Sequence, residues 1–383
     1  MKKLLLLFAL AFVAMSCGDH CPSNEIWYTS ADGNIVEPYG GEDDFTIFGA
    51  NIVSNEYDAD KECWVITFDG DVTTIGDWAF YDCSTLTSVT IPDSVTAIGN
   101  QAFYWCESLT SVTIPDSVTT IGCAAFVNCS SLTSVTIGDG VTTIGGIPFY
   151  GCSSLIEFRG KYASEDGRCL IIDGTLNSFA PAGLAEYTIP DSVTTIGDWV
   201  FQNCSSLTSV TIPDSVTTIG EGAFSGCSSL TSVTIPDSVT TIRAAAFVNC
   251  SNLNEFNGKY ASEDGRCLII DGKLNSFAPA GLAEYTIPDS VTTIWGFPFV
   301  NRSSLTSVTI PDSVTTIGDS AFYGCSGLTS VYCKAVTPPT VDYDMFDNNA
   351  SGRKIYVPRK SVKAYKTAEG WSKYADYIVG YDF

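Results

Sequence analysis

The sequence predicts a solenoid built mostly of short β-strands, with coils specified by one repeated phrase. The phrase SLTSVTIPDSVTTIGEGAFSGC at positions 206–227 recurs almost unchanged one step earlier and one step later. A fixed period of roughly 20 to 50 residues is typical of solenoids and similar arrays. The leucine of the phrase returns with a period of 23 residues, interrupted twice, at Leu86, Leu109, Leu132, Leu155, Leu207, Leu230, Leu253, Leu305 and Leu328.

Each repeat predicts a strand, a turn and a return segment, in that order. Residues 207–212 alternate Leu, Val and Ile with Ser and Thr, which is typical of a half-buried strand. The Pro-Asp-Ser sequence at 213–215 favours a turn, because proline presets φ and the Asp and Ser side chains bond to nearby backbone. We expect residues 220–227 to form a brief helical turn that returns Phe224 to the core. A single coil buries too little apolar surface to offset its lost entropy, so neighbouring coils must stack.

Two repeats are longer than the others. Each contains the extra segment GKYASEDGRCLIIDG, in which an Asp-Gly pair at 173–174 or 271–272 lies between apolar runs. This arrangement predicts a β-hairpin. Residues 160–196 and 258–294 are otherwise the same sequence, which indicates a recent internal duplication. The single difference is Thr175 in the first copy and Lys273 in the second.

The first seventeen residues, MKKLLLLFALAFVAMSC, indicate an export signal, because two lysines precede an apolar run. That run is shorter than the roughly 20 residues needed to span a membrane. An ordinary cleaved signal is one interpretation. The approach to Cys17 resembles a bacterial lipoprotein signal, which predicts that Cys17 carries lipid and anchors the chain at the outer membrane or cell surface.

Composition excludes several classes of function. The net charge of −24 argues against binding to nucleic acid or to anionic membranes. The only histidine, His20, lies three residues after Cys17, so a Ser/His pair or a histidine-based metal site is not expected in the repeats. We therefore predict a protein that is not an enzyme, with no catalytic residue, no metal ligand and no cofactor. The cysteines that recur at one repeat position are expected to be small buried thiols.

Phrases such as LTSVTIPDSVTTIG, with the CSSL that precedes or follows them, closely resemble the BspA-like, Treponema-type leucine-rich repeats of bacterial surface proteins. The resemblance covers about residues 68–332. The opening NEIWYTSADGNIVEPY and the ending KIYVPRKSVKAYKTAEGWSKYADYIVGYDF are similar to flanking segments of such proteins in Bacteroides-type bacteria. The resemblance implies a curved leucine-rich repeat solenoid at the cell surface, mediating adhesion to host matrix, host cells or other bacteria.

Solenoid ends expose apolar faces and strand edges, so capping segments are expected. In the C-terminal segment, Ser361 is expected to N-cap a short helix through Tyr365, while Trp371 and Tyr374 cover the last coil. Contact of this lysine-containing tail with a ligand or cell wall is the alternative. The predicted organisation is a signal peptide at 1–17, an N-terminal cap at 18–67, a solenoid at 68–332 and a C-terminal cap at 333–383.

The strand side is the better candidate for recognition. The Ser and Thr residues at alternate strand positions predict a hydroxyl-rich sheet, which is suited to proteins of the host matrix or of microbial surfaces. A plain solvated strand face would show the same sequence pattern. A glycan-capture or scaffold lipoprotein is the alternative function, favoured if Trp78, Trp105, Trp199 and Trp295 lie exposed on one face. The candidate binding residues, each two positions after a serine, are Thr90, Thr113, Thr136, Thr211, Thr234 and Thr309.

Two further repeat positions carry hypotheses. The aspartates of the IPDSV turns are expected to be solvated turn formers, with weak calcium binding or O-glycosylation at Asp-Ser-Val as alternatives. Arg302 stands where other complete repeats have cysteine. Because a buried, unpaired arginine is costly, we expect its guanidinium either to reach water or to pair with an acid. The aspartates are Asp93, Asp116, Asp191, Asp214, Asp237, Asp289 and Asp312.

Overall fold

The computed structural model describes residues 21–39, 47–342 and 344–383, so Cys17 and His20 lie outside the described residues. The chain winds into a β-solenoid of about 13 turns, most of them about 23 residues long. The prediction of a repeat solenoid is confirmed. Hydrogen bonds between neighbouring coils hold it together on every side, because each coil offers its backbone groups to the next.

One side of the solenoid, here called the strand face, receives one strand from each coil. Neighbouring strands are mostly parallel and in register, so that Thr113 pairs with Thr136 and Thr309 with Tyr332. Apolar side chains point inward and hydroxyls outward, as alternation along a strand requires. The strands are Leu86–Thr90, Ser111–Ile114, Ser134–Ile137, Glu157–Arg159, Glu186–Thr188, Ser209–Thr211, Ser232–Ile235, Glu255–Gly258, Glu284–Thr286, Ser307–Ile310, Ser330–Cys333, Lys354–Pro358 and Ile378–Tyr381.

A second side, the short-strand side, follows the Pro-Asp-Ser turns. Each of its strands has only two residues, and the isoleucine of each pair points into the core in most coils. The strands are Thr74–Ile75, Ala97–Ile98, Thr120–Ile121, Thr143–Ile144, Thr195–Ile196, Thr218–Ile219, Thr241–Ile242, Thr293–Ile294, Thr316–Ile317 and Thr340–Val341.

The third side, the turn side, carries consecutive turns rather than the expected helical turn. Two residues per coil, four positions apart, have left-handed φ, as Gly222 and Gly226 do at +55° and +74°. A helix cannot continue through such residues. Between them the backbone donates hydrogen bonds to the next coil, for example from Phe224 N to Ala246 O at 2.8 Å. Phe224 itself is fully buried, as predicted.

Stacked phenylalanines form the centre of the core. The rings of Phe201 and Phe224 lie 4.9 Å apart and those of Phe224 and Phe247 lie 5.2 Å apart, with interplanar angles of 6° and 1°. The repeat cysteines lie beside this stack as free, buried thiols. Each typically donates its S–H to the phenylalanine carbonyl of the preceding coil, as Cys250 does to Phe224 O at 3.1 Å.

The two extra segments fold as the predicted hairpins. Cys169–Ile172 pairs antiparallel with Thr175–Phe179, and Cys267–Ile270 pairs antiparallel with Lys273–Phe277. The second strand of each hairpin also pairs in parallel with the next short strand, which builds the hairpin into the array. Asp173 and Gly174 both have left-handed φ, +48° and +73°, as a two-residue hairpin turn requires.

At the N-terminal end, an antiparallel sheet covers the first coil. Glu25–Ser30 pairs antiparallel with Leu86–Thr90 on one side and with Cys63–Phe68 on the other. Ile52–Asp58 pairs with the outer edge of Cys63–Phe68. The strand edge that the first coil would expose is thereby satisfied.

At the C-terminal end, the parallel ladder runs past position 332, the boundary expected from the sequence, to Ile378–Tyr381. The helix Val362–Thr367 lies between two 3-10 turns, Arg359–Ser361 and Ser372–Tyr377. Ser361 holds the N-cap position, but its hydroxyl donates to Val336 O at 2.7 Å instead of capping the helix, so that expectation is wrong. Trp371 and Tyr374 are buried against the last coil, in agreement with their predicted role.

Candidate functional site

The predicted threonines form one row along the strand face. Thr113 pairs in register with Thr136, and Thr90 pairs with Trp27 of the N-terminal sheet. The row contains two threonines that the leucine alignment missed, Thr188 and Thr286, because they lie at the ends of the long coils. Arg159 and Asn257 occupy the same position in the strands that precede the inserts. The candidate residues are half-buried at Thr90, Thr136 and Thr309 and exposed at Thr113, Thr211 and Thr234.

The hydroxyls of this row differ in their hydrogen bonding from those of two neighbouring threonine rows. They resemble the hydroxyls of short-strand threonines such as Thr143 and Thr241, which also make no intramolecular hydrogen bond within the described residues. Within the described residues, no candidate threonine donates or accepts an intramolecular hydrogen bond through its hydroxyl. Threonines in two neighbouring rows do bond, typically to a carbonyl oxygen of the preceding coil, as Thr110 does to Thr87 O at 3.2 Å and Thr119 to Thr96 O at 3.2 Å. The candidate row therefore presents donors and acceptors that are available to a partner.

Aromatic residues close both ends of the row. Trp27 lies next to Thr90, and these two residues line a cavity of about 300 Å³ together with Thr113. At the other end, Tyr332 follows Thr309 in register and stacks on Tyr356, with ring centroids 4.6 Å apart. Both ends thus add apolar area with a polar group attached, the combination that is common at interfaces.

Comparison with known proteins identifies the repeat. The family model described as BspA type leucine rich repeat region matches in six copies, over residues 51–163, 175–263 and 273–368. The chain belongs to the BspA-type leucine-rich repeat family. No curated protein gave a significant match to this BspA-type chain.

Several solved structures are similar to this BspA-type protein. A leucine-rich cell surface protein of Faecalibacterium prausnitzii A2-165 is 27% identical, with 85% of this chain and 91% of that chain covered and a TM-score of 0.49. A leucine-rich repeat protein of Bacteroides ovatus ATCC 8483 is 30% identical, with 82% and 70% covered and a TM-score of 0.42. A leucine-rich repeat protein of Eubacterium ventriosum ATCC 27560, 24% identical over 73% and 81% with a TM-score of 0.52, shows the same fold.

Of the tryptophans whose position varies between repeats, Trp78, Trp105 and Trp199 have left-handed φ on the turn side, and Trp295 directly follows the short strand Thr293–Ile294. Trp78, Trp105 and Trp295 are 45%, 39% and 39% exposed, whereas Trp199 is half-buried. Trp105 packs against Tyr104, with ring centroids 5.0 Å apart. The condition for glycan capture, that all four tryptophans lie exposed on one face, is therefore met only in part, because Trp199 is not exposed.

The repeated acids and thiols occupy different environments in the solenoid. The turn aspartates are all exposed, and Asp116 accepts a hydrogen bond from Asp139 N at 2.8 Å. Burial raises the pKa of the repeat thiols of Cys83, Cys204 and Cys250 to about 12. Across the described ranges, no group of three or more His, Cys, Asp or Glu residues lies close enough to hold a metal ion. In the same ranges, no helix has the length and apolar character needed to cross a membrane. BspA-type solenoids are in general non-catalytic scaffolds for protein interaction.

Within the described residues Arg302 pairs with no acid, which contradicts the expectation of such a pair, and of its guanidinium nitrogens only Nε is both buried and without a partner. The residue as a whole is buried. Burial lowers its pKa, and the nearby thiols of Cys250 and Cys325 oppose that change.

Proposed function

We propose that this BspA-type protein is a lipid-anchored binding protein of the bacterial outer membrane or cell surface. It recognises proteins of the host matrix or of microbial surfaces through the strand face. The observation that carries the proposal is the row of threonine hydroxyls without intramolecular partners. An exposed polar row on a regular sheet gives many weak contacts at a fixed spacing of about 4.8 Å, which suits an extended surface better than a small molecule.

Charge narrows the class of partner. The serine row beside the threonines is interrupted by glutamates, of which Glu186, Glu255 and Glu284 are exposed. The chain as a whole carries a net charge of −24. A partner with a basic surface would associate faster, and this advantage would fall as salt is added.

The test is adherence of intact bacteria, with and without this protein, to an array of matrix proteins and polysaccharides. The proposal predicts that deletion lowers adherence to at least one protein spot, and that the loss is larger at low salt. Equal adherence of the two strains to every protein spot would contradict the proposed function.

The anchor is tested separately with Cys17→Ser. Without the thiol there is no site for lipid, so the variant should be misprocessed or released into the medium, and bacteria that carry it should adhere as poorly as the deletion strain. Mass spectrometry that finds an unmodified mature start well beyond position 17 would contradict lipid anchoring.

A second candidate function is glycan capture. It is favoured by the exposed Trp78 and Trp105 on the turn side, because aromatic faces are suited to the apolar faces of sugar rings. The polysaccharide spots of the same array test it.

A further inference from the structure

The first long coil opens a cleft on the turn side. Its turn segment runs from Asn177 to Gly183. It keeps a buried phenylalanine, Phe179, whose ring lies 4.6 Å from that of Phe201, but it has no cysteine and only one left-handed residue, Gly183 at φ +76°. The turn segments of the coils before and after it therefore stand apart. The space between them is a cavity of about 360 Å³, within the range of small-molecule sites.

Aromatic and amide side chains line this cleft. Tyr150 stands on one wall and Trp199 on the other, and Asn203 Nδ2 donates to the Tyr150 hydroxyl at 2.8 Å. Gln202 also lines the cleft, and within the described residues its amide makes no hydrogen bond to protein. The amide can therefore donate and accept at once.

The Trp199 ring is fixed by the next coil. A Cβ added to Gly222 would lie 2.0 Å from ring atoms Cε3 and Cζ3 of Trp199, so the ring rests directly on the glycine. Other coils carry alanine at this position, since Ala124 and Ala245 have the same left-handed φ of +55° and +57°. Glycine at 222 is thus required by the ring rather than by the backbone.

The cleft carries little net charge, although the chain is strongly acidic. Among the described residues no Lys, Arg or His lines it, and the one acid among them that does, Asp198, has its Oδ2 atom 3.3 Å from Nη1 of Arg243. Anionic and cationic ligands would both lack a free counter-charge there. The amide groups in the cleft can both donate to and accept from the hydroxyl groups of a ligand. The aromatic rings can pack against an apolar ring face of the same ligand.

The second long coil supplies a natural comparison. Its insert is the same sequence but for one residue, yet the walls differ: Val248, Phe297 and Val300 stand where the first cleft has Tyr150, Trp199 and Gln202. Arg302 stands where the first cleft has Cys204, and its side chain is buried. The second site therefore has aliphatic and phenylalanine side chains in place of the tyrosine, tryptophan and glutamine of the first cleft, and a buried arginine in place of its cysteine.

We propose that the first cleft, between Tyr150 and Trp199, binds a neutral mono- or disaccharide. The sugar ring packs on the aromatic faces, while the Gln202 amide pairs with its hydroxyls. The proposal rests on glycan capture, the second candidate function, and gives it a site.

The test uses the mature full chain and a panel of neutral sugars: methyl glycosides of glucose, galactose, mannose and N-acetylglucosamine, with maltose, cellobiose and lactose. Saturation-transfer NMR detects binding and calorimetry measures it. At least one sugar should bind with a Kd of about 1 mM or tighter. Absence of binding by every sugar in the panel would overturn both the site and glycan capture.

Two variants address the site. Cys204→Arg copies the arrangement at Arg302, so it should fold and fill the cleft. Gly222→Ala copies the alanine of other coils and should displace only the Trp199 ring. Each should weaken sugar binding at least about tenfold, with an unchanged circular dichroism spectrum.

Arg302→Cys is the matched control, because it makes the complementary exchange in the second site and should leave the affinity of the first cleft unchanged. Trp105→Ala tests the exposed aromatic residues outside the cleft, where Trp105 packs against Tyr104. Sugar binding that survives Cys204→Arg but is lost in Trp105→Ala would overturn the cleft and leave glycan capture standing.

Discussion

Phe224→Ala tests the stacked core in a middle coil. The ring is fully buried and lies between Phe201 and Phe247, at 4.9 and 5.2 Å. Truncation of a buried phenylalanine costs about 3 to 5 kcal/mol. The substitution removes two stacked ring pairs, and each such pair contributes about 0.5 to 1.5 kcal/mol. We therefore expect the loss in the free energy of unfolding to lie in the upper part of the range of about 3 to 5 kcal/mol.

The free energy of unfolding is measured by urea titration with circular dichroism. In an array whose coils contact only their neighbours, the loss weakens the interfaces on both sides of one coil, so the variant should also show a broader or two-step transition. Tyr323→Ala is the control, since Tyr323 follows the repeat phenylalanine but is 36% exposed, and it should change stability by less than about 0.5 kcal/mol. A loss below about 1 kcal/mol for Phe224→Ala would refute the stacked-core account.

Three further outcomes follow from the buried polar groups. Arg302→Met should raise the free energy of unfolding, measured by urea titration, by about 1 to 3 kcal/mol, because it removes a buried donor without a partner. Arg266→Met should lower it, because Arg266 donates a hydrogen bond to Ala280 O at 2.9 Å. A loss of stability in Arg302→Met together with a gain in Arg266→Met would contradict this prediction. Iodoacetamide should modify the exposed Cys123 in the native protein and the ladder thiols only after unfolding, as read by mass spectrometry; equal rates would contradict their burial. Burial raises the pKa of Cys204 from 9.0 to about 12. Because the thiol ionises at lower pH in the unfolded chain, its contribution to the free energy of unfolding should hold below pH about 9 and fall as the pH rises towards 12. In urea titrations Cys204→Ala should reduce this fall, and the same dependence of stability on pH in both proteins would contradict the role of Cys204.

The period and the turn chemistry were readable in the sequence because they are local. An Asp-Gly pair between apolar runs allows few conformations, so both hairpins were predictable. The burial of Phe224 followed from its spacing alone. The long coils were harder to align. Leu184 and Leu282 occupy the position of the repeat leucine, but each follows the preceding repeat leucine by 29 residues instead of 23. Each is also followed by Ala and Glu, where the repeated phrase has Thr and Ser.

Other features depend on the neighbouring coil and leave little trace in the sequence. Left-handed φ at Trp78 or Asn203 is supported by hydrogen bonds across coils, from Trp78 N to Asn100 O at 3.0 Å and from Asn203 N to Ser225 O at 2.8 Å. The burial of Arg302 depends on the neighbouring coils, whereas the sequence shows only that arginine replaces the repeat cysteine there. The cleft beside Trp199 was missed because it too depends on how neighbouring coils pack. The sequence did contain a signal: the position after the first insert that has Cys204 corresponds to Arg302 after the second, although the two inserts are nearly identical.

The most direct test of the strand face compares two pairs of substitutions with equal charge. Thr113→Lys with Thr211→Lys alters exposed threonines of the candidate row on the strand face. Thr143→Lys with Thr241→Lys alters threonines on the short-strand side that are also exposed and also lack intramolecular hydroxyl partners within the described residues, so the two pairs differ only in the side of the solenoid. Affinity is measured by surface plasmon resonance for each matrix protein that the array identifies. We predict that the strand-face pair weakens binding at least about tenfold while the short-strand pair leaves it unchanged. Equal affinity of the two variants would contradict recognition through the strand face.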